Sequence, residues 1–129
     1  MKILISCSMK FRSKVRETLN EMSKLGLEGV FPNIDHNGKD KDGDMTVTEK
    51  KRLALEHYEE MKNVDAVYFI LPDGYMGTST KIELGYALAL NKPIYFSEPT
   101  HDIALDCYVK DYIPLDKLES FKKIDANRK

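Results

Sequence analysis

The sequence predicts an α/β fold in which a parallel sheet carries helices on both faces. Two observations carry this expectation. Short apolar runs alternate along the chain with longer segments of helical period, the order that βαβ units require. The apolar runs are nearly continuous, as in strands buried on both faces. The 129 residues, 42% hydrophobic and 32% charged, suffice for one domain that needs neither metal nor disulfide to hold it.

Residues 2–7 form the first apolar run, rich in Ile and Leu and ending before Ser8, and read as a buried strand. In residues 11–25 the apolar positions Phe11, Val15, Leu19, Met22 and Leu25 recur at spacings of four and three, which puts them on one helix face. Gly26 is the expected C-terminal stop. Residues 27–31 read as a second strand, closed by Pro32 and Asn33. Residues 34–45 are polar, contain glycine and lack a period, so they read as an exposed loop. The acidic spacing there does not match a calcium loop, because no window pairs it with a Glu at the twelfth position.

Residues 46–63 read as a second helix, with Thr46 or Thr48 as cap and Glu49 placed to complete a capping box with Thr46. Residues 64–71, V-D-A-V-Y-F-I-L, are the strongest strand signal and end at Pro72. Residues 80–90 read as a third helix, whose Ile82, Tyr86, Leu88, Ala89 and Leu90 give it apolar cover on more than one side. A fourth strand is expected at 93–96, a short helix at 103–108, an edge-like fifth strand at 112–115 and a last helical turn at 116–121, with 124–129 frayed. Together these elements describe a flavodoxin-like three-layer sandwich with a parallel sheet of about five strands, in a single domain spanning 1–129.

Lys plus Arg number 20 and Asp plus Glu 21, a net charge of -1, which argues against a nucleic-acid polymer as partner. It leaves room for a small anion, which helix N-termini bind without net charge. The two cysteines, Cys7 and Cys107, and the lack of a signal-like start lead to an expected cytoplasmic location. No window approaches the roughly 20 apolar residues of a membrane span. His36, His57 and His101 show no metal-ligand spacing, and no metal or organic cofactor is expected.

In such sheets ligands bind beyond the carboxyl ends of the strands, where the strand order reverses. The segments after the first and third strands, 6–11 and 72–83, are therefore the candidates. In the second, P-D-G-Y-M-G-T-S-T, Gly74 and Gly77 permit close backbone approach, and Thr78, Ser79 and Thr80 bring hydroxyls to a helix start. Glu83 falls in the first turn of the expected helix and has two readings. Thr80-x-x-Glu83 matches a capping box. Alternatively, a carboxylate at the positive end of a helix is held ionised and can attack an anomeric carbon. In the first segment Ser6, Ser8 and Lys10 are candidate contacts for sugar hydroxyls or phosphate, and Met9 is a further candidate substrate-binding residue. Tyr75 reads either as a base-stacking ring or as cover for the core, Asp65 as a ligand-orienting acid or a cap, and Cys7 as core.

The stretch D-A-V-Y-F-I-L-P-D-G-Y-M-G-T-S-T-K-I-E-L-G-Y-A-L-A-L-N-K-P-I resembles the core of the nucleoside 2-deoxyribosyltransferase-like superfamily. The likeness covers an apolar strand, a Gly-containing loop, E-x-G-Y-A on a helix and a K-P pair before the next strand; I-L-I-S-C-S-M-K-F resembles the first strand and its ligand-facing loop. The resemblance implies an N-glycosidase or 2-deoxyribosyltransferase acting on a nucleoside or its 5′-monophosphate, with Glu83 as nucleophile. Six positions earlier, where the family's transferases usually carry an acid, stands Gly77, so the assisting acid falls to Asp73. The resemblance also implies a homodimer or larger assembly. The alternative is a non-catalytic nucleotide-binding or sensing module of the same fold.

Overall fold

The computed structural model describes residues 1–34 and 46–128; the loop expected at 34–45 lies, beyond Ile34, outside the described residues. Five strands, β1 (Lys2–Ser6), β2 (Glu28–Val30), β3 (Ala66–Phe69), β4 (Ile94–Phe96) and β5 (Asp111–Tyr112), pair in the order β2-β1-β3-β4-β5, and every pairing is parallel. The helices are α1 (Arg12–Lys24), α2 (Val47–Met61), α3 (Thr78–Ala89), α4 (Ile103–Asp106) and α5 (Ser120–Asn127).

The two-residue period of the strands sorts their side chains into two cores. Ile3, Ile5, Tyr68, Ile70 and Tyr95 face Val15 and Met22 of α1 and Phe121 of α5. Leu4, Val67, Phe69, Ile94 and Phe96 face Met61 of α2 and Leu84 and Ala87 of α3. This is the expected flavodoxin-like three-layer arrangement. The same parity puts Ser6 on the side of Leu4, toward α2 and α3.

Several boundaries have a local cause. Gly26, at φ 77°, closes α1: its own amide bonds the Ser23 carbonyl and the Leu27 amide bonds that of Met22. Thr46 caps α2, accepting from the Glu49 amide at 3.1 Å, while its hydroxyl reaches the Glu49 carboxylate. Two sequence expectations are corrected. The fifth strand is Asp111–Tyr112, not 112–115. The segment from Ile124 is helical through Asn127, not frayed, because Phe121 is fully buried and Ile124 packs on the same core.

Of the two readings of Asp65, the cap is the one its contacts match. It lies at the amino end of the sheet, where its carboxylate accepts from the Lys2 amide at 2.7 Å and meets Arg128 at 3.2 Å. The bond from the Lys2 amide, followed by the Arg128 charge, holds its carboxyl below the usual aspartate range. A depressed folded value means that the stabilisation is complete above the ordinary aspartate pKa and is lost as pH falls through the folded one. Asp65→Ala is expected to lower stability by about 1 kcal/mol near pH 7, a charged hydrogen bond discounted for solvent exposure. Thermal melts of both proteins across the acid range should show the gap narrowing as pH falls; a gap independent of pH contradicts the assignment.

Candidate active site

The strand order reverses beside β1: the chain moves from β1 to β2 on one side and returns to β3 on the other. The carboxyl ends there diverge and leave a cavity of about 670 Å³, within the roughly 300–1,000 Å³ range of small-molecule sites. Ser8, Met9 and Lys10 line it from the turn after β1, and Phe31, Pro32 and Asn33 from the end of β2. From α2 come Val47, Lys50, Ala54, His57 and Tyr58, at the three- and four-residue spacings of one helix face. Tyr75, Gly77, Thr78, Ser79, Thr80 and Glu83 complete the wall from the loop after β3 and the start of α3.

Glu83 is not a capping residue. The helix starts at Thr78 with Gly77 as its cap, two residues earlier than expected, so Thr80 is inside the helix and buried and Glu83 is in its second turn. The capping-box reading fails for this geometric reason, and the first-turn argument for an ionised Glu83 goes with it. The carboxylate points instead to the end of β1. Its Oε1 accepts a hydrogen bond from the Ser6 hydroxyl, and His57 Nε2 stands 3.3 Å from the same oxygen. The Glu83 side chain is 14% exposed and that of His57 8%. Despite its closeness, Nε2 lacks hydrogen-bond geometry to Oε1 and has no hydrogen-bond partner among the described residues. The Phe31 ring meets the His57 ring edge-on at 5.5 Å.

The charge of Glu83 reaches its neighbours. Burial, with Glu83 adding to it, pushes the Cys7 thiol up to about 12, so Cys7 is a neutral packing group and no thiolate nucleophile. Burial and then Glu83 also raise Tyr58, whose ring stacks on Tyr86 at 5.0 Å. The Lys10 ammonium sits 3.5 Å from the centre of the Tyr75 ring, and Phe11 meets that ring edge-on. One face of Tyr75 is thus occupied by Lys10.

Of the residues expected at the site, Ser8, Met9, Lys10, Tyr75, Gly77, Thr78, Ser79, Thr80 and Glu83 line the cavity, and Ser6 joins it through Glu83. Asp73 and Gly74 do not. Asp73 is exposed, at φ 56° in the 3-10 turn Pro72–Gly74. Gly74, at φ 75°, makes its close approach to the chain itself: a Cβ would stand 2.6 Å from the Pro99 carbonyl oxygen. Sequence reasoning missed His57, Tyr58, Lys50 and Lys51. The available signal was His57 on the inward face of α2, between Ala54 and Met61, where an apolar residue is the norm. The K-P pair has a structural use, since Lys92 donates to the carbonyls of Val64 at 2.9 Å and Lys62 at 3.3 Å. Among the described residues no cluster of His, Cys, Asp and Glu is arranged to hold a metal, and no helix is long and apolar enough to cross a membrane.

Comparison with models of known families finds no match, and comparison with curated protein sequences finds none. Solved structures do match. A 2-deoxyribosyltransferase from the psychrotolerant bacterium Bacillus psychrosaccharolyticus gives a TM-score of 0.66 at 21% identity, covering 92% of this chain and 90% of that one. The CMP N-glycosidase BcmB of Clostridium botulinum gives 0.56 at 18% identity, over 98% of this chain and 99% of that one. The chain therefore has the nucleoside 2-deoxyribosyltransferase-like fold.

The two loop glycines lead to opposite expectations. Gly74→Ala places a methyl against backbone at a positive φ and should cost about 2 kcal/mol. Gly77→Ala, at φ −73° with the Tyr75 hydroxyl as nearest contact at 3.4 Å, should cost less than about 1 kcal/mol. Urea midpoints of the two variants check this order.

Proposed function

We propose that the protein cleaves or exchanges the N-glycosidic bond of a nucleoside or its 5′-monophosphate, with Glu83 as nucleophile. The observation that carries this reading is a largely buried carboxylate on a cavity wall, free of any capping duty and held at one oxygen by Ser6. The activities named for the two structural neighbours, deoxyribosyl transfer and CMP N-glycoside cleavage, support the same class.

In this reading Glu83 Oε2 attacks C1′ from the face opposite the base. The C1′–N bond breaks, the base leaves with the bonding pair and takes a proton from solvent, and a glycosyl ester forms on Glu83. Water, or a second base, attacks C1′ and frees the carboxylate, with retention overall. Asp73 has no part in this scheme, because it lies outside the cavity. Lys10, Lys50 and Lys51 on the wall favour a 5′-phosphate over the neutral nucleoside.

A second reading, a nucleotide-binding module without turnover, draws on one observation. Among the described residues Glu83 is the only carboxylate lining the cavity, so no second acid stands ready for the departing base.

Incubation with a panel of nucleosides and 5′-monophosphates, with free base followed by chromatography, separates the readings. Glu83→Gln keeps the size and the acceptor for Ser6, so melting should change little while base release falls by about 10³-fold or more. Undiminished release by Glu83→Gln overturns the mechanism; binding without release by the wild type favours the module. Lys51→Ala is expected to raise KM for a monophosphate by about tenfold and leave that of the matching nucleoside unchanged. Equal changes for both substrates contradict a phosphate contact.

A further inference from the structure

His57 has no place in the scheme above, yet its buried Nε2 stands 3.3 Å from the reacting carboxylate. A histidine on the inward face of α2 sets a polar nitrogen where packing asks only for an apolar side chain, and a buried polar atom without a partner is costly. Nε2 is sealed from solvent, so water does not satisfy it. Its surroundings narrow the choice of partner. The Phe31 ring stands edge-on to it, the Cys7 thiol is kept neutral by burial, and Glu83 is the charged group within ion-pair distance among the described residues. Nε2 and the Ser6 hydroxyl converge on the same oxygen, Oε1, from different elements, α2 and β1. Both contacts fall on Oε1 and neither on Oε2.

We infer that His57 is a positioning residue for Glu83: its Nε2–H closes on Oε1 when substrate fills the cavity, fixing the carboxylate with Ser6 so that Oε2 is the oxygen presented to C1′. The inference rests on the proposed role of Glu83. Closing needs only a small rotation, since the atoms are 3.3 Å apart and lack only the angle. Two anchors on one oxygen fix the plane of the carboxylate, which a single hydroxyl leaves free to turn. Orientation of this kind acts on the chemical step, where small misplacement of a reacting group costs up to about 10²-fold in rate.

Two variants and one double-mutant cycle test this. His57→Phe keeps a ring against Phe31 and removes the donor; His57→Gln keeps a donor. With the best substrate, His57→Phe is expected to lower kcat about 10- to 100-fold at nearly unchanged KM, and His57→Gln to recover most of it. An undiminished kcat in His57→Phe overturns the inference, as does a rise in KM alone, which marks a residue that binds substrate. Equal losses in both variants also overturn it. A double-mutant cycle on melting does not depend on turnover. The change in Tm caused by His57→Phe should differ between the wild type and the Glu83→Gln background, because the two side chains meet. Equal changes in both backgrounds overturn the contact. If the wild type releases no base from any substrate, the glycosidase reading fails, and the cycle still decides whether His57 and Glu83 act as a pair.

Discussion

The hydrogen bond from Ser6 to Glu83 joins the end of β1 to the second turn of α3, and the candidate site is organised around it. It is possible only because of strand parity. Ser6 is on the β1 face shared with Leu4, so its hydroxyl meets α3, whereas Cys7 one residue on belongs to the opposite core. A one-residue slip of β1 would exchange the two and bring a thiol to the carboxylate. The register that prevents the slip is set by pairing on both sides, Ile3 with Ala66 and Leu4 with Val67 on β3, and Lys2 with Glu28 on β2. The chemistry thus rests on the same pairing that builds the sheet.

Around that bond the cavity divides by charge. Near the sheet are Glu83 and the neutral, buried Cys7 and Thr80, with His57 close by. Lys10, Lys50 and Lys51 belong to the turn after β1 and the first half of α2. A chain with almost no net charge therefore brings three lysines and, among the described residues, one carboxylate to the same cavity. Tyr58 and Cys7, both pushed up by burial and by Glu83, stay protonated at neutral pH and do not compete as anions.

The layers and strands were legible because continuous apolar runs and helical spacings are local signals, and the periods of 2–7, 11–25 and 64–71 matched the elements found. The start of α3 was misread by two residues because Thr80-x-x-Glu83 imitates a capping box, while the true cap, Gly77, offers no side chain to recognise. That shift removes the cap from the two readings of Glu83 and leaves a group aimed at β1. Asp73 was chosen by proximity in sequence, but the left-handed turn at Asp73 and Gly74 carries both away from the cavity. His57 was invisible for the converse reason: its partner is 26 positions away on another helix, and only the packing of α2 beside α3 brings them together.

The central claim is that Glu83 carries the sugar during turnover, and the most direct measurement is to look for that bond. The protein is quenched in acid during steady turnover of its best substrate, digested, and the peptide containing Glu83 mapped by mass spectrometry. The expected result is the mass of the glycosyl group, with its phosphate where the substrate has one, esterified to Glu83 and absent when substrate is omitted. Turnover with no adduct there, or with the adduct on another residue, contradicts it.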